Sequence, residues 1–129
     1  MADFTQQFAE HLQAQEASPK TIVNYVADIN HFARWFRDTN GQELTLKEIT
    51  PTDLRDYRSH LLTVDQRKPA TINRRLTTLR RLCAWAKRER LIDENPAEEV
   101  KGVEKMKLGP PRALEKKDVD KLIRFAESL

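Results

Sequence analysis

Residues 69–90 decide the fold of this chain and read PATINRRLTTLRRLCAWAKRER. Apolar side chains recur there at steps of three and four residues, which is the period of one face of an α-helix. Those side chains are Ile72, Leu76, Leu79, Cys83 and Ala86, with Leu82 beside them. Pro69 can take the first helical position without losing a needed hydrogen bond. The pattern therefore predicts an amphipathic helix over 70–90 whose apolar stripe packs into a core.

The segments on either side show the same helical period. Ser18, Thr50 and Asn95 each precede a proline, and their side-chain oxygens can accept hydrogen bonds from the first amides of a helix. No segment alternates polar and apolar residues over the length of a strand. The sequence therefore predicts an all-α bundle of four to five helices. We expect helices over 3–15, 19–39 and 51–62, a turn or two over 96–100, and a last amphipathic helix over 116–128.

The chain of 129 residues has the length of about one domain and is expected to divide into three parts. Residues 101–115 contain Gly102, Gly109 and the pair Pro110-Pro111, a composition typical of linkers. Residues 1–100 would form the helical domain, and residues 116–129 would begin another domain.

Composition excludes several classes of protein. With 39% hydrophobic and 33% charged residues the chain is too apolar to be disordered. No apolar run approaches the ~18 residues of a membrane span, and the N-terminus has no secretion signal. The single cysteine, Cys83, cannot form an intramolecular disulfide, which is typical of a cytoplasmic protein. We expect no association with a membrane.

Positive charge is concentrated in one segment. Residues 66–90 hold nine basic residues and one acidic residue, whereas the rest of the chain holds 14 basic and 19 acidic residues. A basic block in an otherwise acidic chain indicates an anionic partner that contacts one element. A solvated helix face is the alternative that charge alone leaves open.

The polar side of the fourth helix is the predicted binding surface. A helical wheel places Arg74, Thr77, Thr78, Arg81 and Arg88 opposite the apolar stripe. Lys68, Thr71 and Asn73 stand at the start of this helix, and Ser18, Lys20, Thr21 and Asn24 occupy corresponding positions on the second helix. A helix fits the major groove of DNA, arginine reads guanine edges, and lysine and threonine suit phosphates. The pattern predicts that these residues bind double-stranded DNA.

Other chemistry finds little support. His11, His31 and His60 lack the spacing of metal ligands, so no metal and no cofactor are expected. Tyr25 and Tyr57 fall on apolar stripes, and Cys83 is expected to be structural. We expect His31 to be solvated, and we find no catalytic constellation in the chain.

Several short motifs, in this order and spacing, make the chain similar to a known family. It resembles the N-terminal core-binding domain of tyrosine recombinases, the phage-integrase family, from about residue 4 to residue 122. Within that family the resemblance leaves open XerC-like or XerD-like recombinases and phage or transposon integrases. The motifs are Ser18-Pro19-Lys20-Thr21 with Tyr25, Asp28-Ile29 and Phe32; Ile49-Thr50-Pro51-Thr52-Asp53-Leu54; Thr71-Ile72-Asn73-Arg74-Arg75-Leu76; Asn95-Pro96-Ala97; and Pro111-Arg112-Ala113-Leu114.

The resemblance implies a SAM-like helical domain that forms half of a clamp on DNA and contacts the major groove through its second and fourth helices. It further implies assembly with other recombinase subunits into a tetramer in the full-length parent, and an isolated fragment that is monomeric. Catalysis through a 3'-phosphotyrosyl intermediate would belong to a following domain, so no catalytic residue is carried over. The alternatives are a helical interaction domain that binds an acidic protein, and a complete enzyme.

Overall fold

The computed structural model describes residues 3–104, which form helices joined by short turns. Within that range there is no strand, and the predicted all-α fold is confirmed. Residues 105–115 of the predicted linker and the predicted helix over 116–128 lie outside the described residues. The helices are α1 (Asp3–Ala14), α2 (Pro19–Asn40), α3 (Pro51–Ser59) and α4 (Pro69–Arg88), with a 3-10 turn at Leu46–Glu48 and a π-helical turn at His60–Val64.

The signals that predicted the helix starts are the ones the structure uses. Ser18 Oγ accepts a hydrogen bond from the Thr21 amide at 3.1 Å, which caps α2. Thr50 and Asp53 form a reciprocal capping box at the start of α3, with distances of 3.0 and 3.1 Å. Gly41 ends α2 in the left-handed conformation, at a φ of 76°. Local sequence therefore sets the boundaries of α2 and the start of α3.

The end of α3 differs from its prediction over 51–62. The α-helix stops at Ser59, and the wider π-helical turn that follows keeps Leu61 buried but leaves Leu62 44% exposed. The Arg67 amide donates to the Leu61 carbonyl at 2.9 Å, which turns the chain towards α4. The difference from the prediction is therefore one of helical winding, since helical turns continue to Val64.

The core lies where α2 and α4 pack on each other, with α1 against α2 and α3 against both. Phe32 and Tyr57 meet edge to face there, with ring centroids 4.9 Å apart. The whole predicted stripe of α4 is buried: Ile72, Leu76, Leu79, Leu82, Cys83 and Ala86. Burial raises the pKa of the Cys83 thiol to about 12, so it stays protonated near neutral pH and acts as a packing residue. Because this face of α4 is committed to the core, the part of the opposite side that no other helix covers is fixed outward.

Candidate nucleic-acid interface

Three exposed arginines follow one another along the outer side of α4. Arg74, Arg81 and Arg88 are spaced seven residues apart, and we call them the arginine row. At 1.5 Å per residue the row extends over about 21 Å of helix. The buried stripe on the opposite side of α4 holds this row at the surface.

The arginine row lies beside α2. Arg74 Nη2 is 2.8 Å from Asp28 Oδ1, and Arg81 Cζ lies 6.0 Å from the centroid of the Tyr25 ring. Arg81 comes after Arg74 in α4, whereas its partner Tyr25 comes before Asp28 in α2. The two helices therefore run in opposite directions. The N-terminal end of α2 is therefore on the same side as the Arg88 end of the row.

The outward face of α2 carries both polar and small apolar side chains. Lys20 and Asn24 are exposed, as predicted, and Thr21 is half-buried. Sequence reasoning missed Val23, which is 64% exposed, and the exposed Ala27 beside it. Their spacing relative to Lys20 and Asn24 was the available signal, because side chains at three- and four-residue steps share a helix face.

Ser18 is exposed, but its hydroxyl already has two partners. It accepts from the Thr21 amide and donates to Thr21 Oγ1 at 2.9 Å. Its capping role is confirmed, and donation to a ligand such as a phosphate would have to replace or share the bond to Thr21 Oγ1. Lys68 is exposed at the start of α4, where Thr71 and Thr77 are half-buried.

The predicted outward position of Thr78 is wrong. Thr78 is fully buried, and its Oγ1 donates to Asp28 Oδ2 at 2.8 Å. The helical wheel placed it opposite the apolar stripe, but α2 covers that arc of α4. The wheel holds no information on where a neighbouring helix packs, so it could not separate Thr78 from the exposed Arg74.

Asn73, one of the residues predicted to bind DNA, is hydrogen-bonded to the chain itself. Its Nδ2 donates to the Val103 carbonyl at 2.9 Å, and its Oδ1 accepts from the Val103 amide at 2.7 Å. Arg80 Nη2 donates to the Val100 carbonyl at 2.7 Å, and Arg58 Nη1 donates to the Lys101 carbonyl at 2.7 Å. We call residues 100–103 the exit strap. The first residues of the predicted linker are therefore bound along α3 and α4.

We expect Gly102→Ala to release the exit strap. A Cβ at this position would clash with Asn73 Oδ1, which lies closer than real Cβ contacts allow. The hydrogen bonds between Asn73 and Val103 hold the strap on α4, and loss of one or both should make the strap detach roughly ten times more often. Trypsin cleavage after Lys101 should therefore accelerate about tenfold, measured by mass spectrometry, while the exposed control Thr45→Ala behaves as wild type. An unchanged cleavage rate in Gly102→Ala would contradict this account of the strap.

His31 lies in a half-buried cluster and not, as expected, in solvent. Its Nδ1 is 2.7 Å from the Tyr57 hydroxyl, and Arg75 Nη1 is 3.2 Å from its Nε2. These contacts fit a neutral ring that donates from Nδ1 and accepts from Arg75 at Nε2. Burial first, and then the nearby cations Arg75 and Arg34, lower the pKa of His31 below 6.5. Burial likewise raises the pKa of Tyr57 to about 12.

The lowered pKa of His31 predicts a loss of stability in acid. The unfolded chain binds this proton near pH 6.5, above the pKa of the folded state, so unfolding is accompanied by proton uptake. The contribution of His31 to the free energy of unfolding should be fully present above pH 6.5 and fall as the pH drops through 6.5 towards its folded-state pKa. Urea unfolding of His31→Gln should show a weaker pH dependence than the wild type or His11→Gln. If the free energy of unfolding depends on pH equally in all three proteins, His31 is not the source of the acid sensitivity.

The described part of the chain offers little to other chemistry. Among residues 3–104 there is no group of three or more histidine, cysteine, aspartate or glutamate side chains placed to hold a metal ion. None of the helices over those residues is long and apolar enough to cross a membrane.

Comparison with known proteins gives a consistent result. Residues 5–90 match the family model described as phage integrase, N-terminal SAM-like domain. The chain is 30% identical over 129 residues to tyrosine recombinase XerC of Bacillus subtilis, covering 97% of this chain and 40% of the relative. It is 33% identical over 131 residues to tyrosine recombinase XerD of Bradyrhizobium diazoefficiens, covering 99% of this chain and 39% of the relative.

A third relative, tyrosine recombinase XerC of Halalkalibacterium halodurans, is 32% identical over 111 residues, covering 82% of this chain and 34% of the relative. The chain thus spans about two fifths or less of the length of these curated relatives. No solved structure matches it significantly. The matched residues 5–90 contain α2 to α4, all of α1 except its first two residues, and the complete arginine row, so the chain belongs to the family of phage integrase N-terminal SAM-like domains.

Proposed function

We propose that this chain is the DNA-binding module of a site-specific tyrosine recombinase, and that it lays the seam between α2 and α4 into the major groove as half of a clamp. The observation that carries the proposal is the arginine row, which a buried stripe holds outward beside the exposed face of α2. The curated relatives, named as tyrosine recombinases, support the proposed role in recombination.

The physical properties of the seam suit a polyanionic groove. An α-helix fits the width of the major groove, and guanidinium groups bind phosphates and guanine edges. Arg81 and Arg88 are exposed cations that pair with no acidic side chain among residues 3–104. We assign them to phosphates, together with the exposed Lys20 and Lys68.

Base contacts are proposed for the outward face of α2. The Asn24 amide can pair with adenine in the major groove, and small apolar side chains contact the methyl group of thymine. Val23 and Ala27 stand next to Asn24 and are both exposed.

Strand cleavage is proposed to lie outside residues 3–104. Tyr57 is buried in the core with its pKa raised to about 12 by burial, so its hydroxyl cannot reach a DNA backbone. The Tyr25 ring lies beneath the Arg81 guanidinium. We therefore propose that this domain binds DNA without cutting it, and that strand exchange needs the rest of a recombinase and further subunits in a tetramer.

Titration of the isotope-labelled chain with a random duplex of about 20 base pairs tests the proposal. Amide shifts should concentrate in α2 and α4, with a Kd of about 10⁻⁴ to 10⁻⁶ M that weakens steeply with salt. Polyglutamate at the same charge concentration is the control for a domain that binds acidic proteins. Shifts with polyglutamate but none with duplex DNA at low salt would overturn the proposed function in favour of that alternative.

A further inference from the structure

We infer that Asp28 is a positioning residue for Arg74. It orients the Arg74 guanidinium and compensates its charge, so that Arg74 recognises guanine edges instead of acting as a free cation. The inference rests on the proposed function and divides the arginine row by role. Arg74 would supply base preference, whereas Arg81 and Arg88 would supply attraction to phosphates.

The first observation is the burial of the Asp28 carboxylate. Asp28 is 3% exposed, and both its oxygens are engaged: Oδ1 accepts from Arg74 Nη2 at 2.8 Å and Oδ2 accepts from Thr78 Oγ1 at 2.8 Å. A buried carboxylate requires such partners because it has lost its water. Among residues 3–104, Arg74 is the cation within ion-pair distance of it. The guanidinium is thus held to α2 at one corner.

The second observation is that the rest of the Arg74 side chain stays accessible. The side chain of Arg74 is 55% exposed, although that of Asp28 is only 4% exposed. A guanidinium carries five N–H donors in a rigid fork, and the contact with Asp28 uses one of its three nitrogens, Nη2. The remaining donors match the O6 and N7 acceptors of guanine. Because the fork is already fixed, less side-chain entropy is lost on binding.

The third observation is the difference in charge along the row. The pair of Arg74 with Asp28 is close to neutral as a unit, whereas Arg81 and Arg88 have no acidic partner among the described residues. Each cation that neutralises a phosphate contributes about 0.9 to the slope of log affinity against log salt. Loss of Arg74 should therefore reduce base preference with little effect on this slope, and loss of Arg81 should do the reverse.

The test is a selection from a duplex library with a randomised central window, carried out with wild type, Asp28→Asn and Asp38→Asn. Asparagine keeps the shape and an acceptor at position 28 but abolishes the ion pair. Asp38 is an exposed acid on the same helix, so its variant changes net charge equally. We expect wild type and Asp38→Asn to enrich a guanine about tenfold, and Asp28→Asn to lose that enrichment while its low-salt affinity is unchanged or higher.

Arg74→Lys is the second variant and keeps the charge but not the fork. It should also lose the guanine enrichment, and circular dichroism checks that each variant remains helical. Retained enrichment in both Asp28→Asn and Arg74→Lys, or no guanine enrichment in a wild type that binds, would overturn the inference and leave the proposed function intact. A wild type that binds no duplex would overturn both.

Discussion

Replacing Arg74 with alanine is expected to lower the free energy of unfolding by roughly 1–3 kcal/mol, the cost of leaving a buried polar group without its partner. The Asp28 carboxylate loses its cation in this variant and stays covered by α2 and α4. The half exposure of Arg74 keeps the loss below that of a fully buried pair. Arg81 has no such partner, so Arg81→Ala should change stability by no more than about 0.5 kcal/mol.

Urea unfolding followed by circular dichroism measures both variants. The double variant Asp28→Asn with Arg74→Ala provides the matched test, because it removes the uncompensated charge. Its loss should be smaller than the sum of the two single losses, as expected for residues that interact directly. Equal stability of Arg74→Ala and Arg81→Ala would show that the ion pair contributes nothing. For DNA binding, Arg74→Ala must therefore be compared at temperatures where it is fully folded.

The second large effect concerns affinity. Arg81→Glu with Arg88→Glu should weaken binding to a random duplex about 100-fold at low salt, which corresponds to about 2.7 kcal/mol. The slope of log affinity against log salt should fall by about two, because two phosphate contacts are lost. Fluorescence anisotropy at several salt concentrations gives both quantities. Both side chains are exposed, so the fold should be unaffected.

Lys47→Glu with Arg55→Glu is the matched control for this experiment. These exposed cations lie outside α2 and α4, and their reversal changes the net charge by the same amount. We expect a loss of affinity several times smaller in the control. Similar losses in the two double variants would mean that total charge, and not the seam between α2 and α4, determines binding.

The parts of the fold that depend on local sequence could be predicted. The caps at Ser18 and Thr50 and the buried stripe of α4 follow from residue types at fixed spacings. The change from α-helical to π-helical winding at His60, which leaves Leu61 buried and Leu62 exposed, could not be predicted. A single helical period over 51–62 carries no sign of that change.

The site was predictable as a face but not as a set of contacts. Spacing alone identified the row of Arg74, Arg81 and Arg88, and the structure places all three at the surface. It could not show that Thr78 lies beneath α2, since that depends on the partner helix. Asp28 had a usable signal: it is a charged residue among the apolar positions of α2, next to Ile29. A carboxylate in such a place needs a buried partner.

Some basic side chains of the 66–90 segment are engaged within the domain, which a count of charges could not reveal. Arg75 turns to His31, and its Nε is buried without a hydrogen-bond partner among the described residues. Arg80 turns to the Val100 carbonyl instead. Both contacts join residues at least 20 positions apart in the chain, so no local pattern encodes them. The number of cations free to meet DNA is therefore smaller than the composition suggests.

The exit strap fixes where a covalently joined neighbour would be tethered. It runs back along α4, from the level of Arg80 to the level of Asn73, a distance of about 10 Å at 1.5 Å per residue. The effective anchor is therefore Val103 near the beginning of α4, and not Arg88 at its end. Extra residues inserted between the exposed Asp93 and Glu94 would enlarge a surface turn without lengthening the neighbour's reach, whereas residues inserted after Val103 would lengthen it directly.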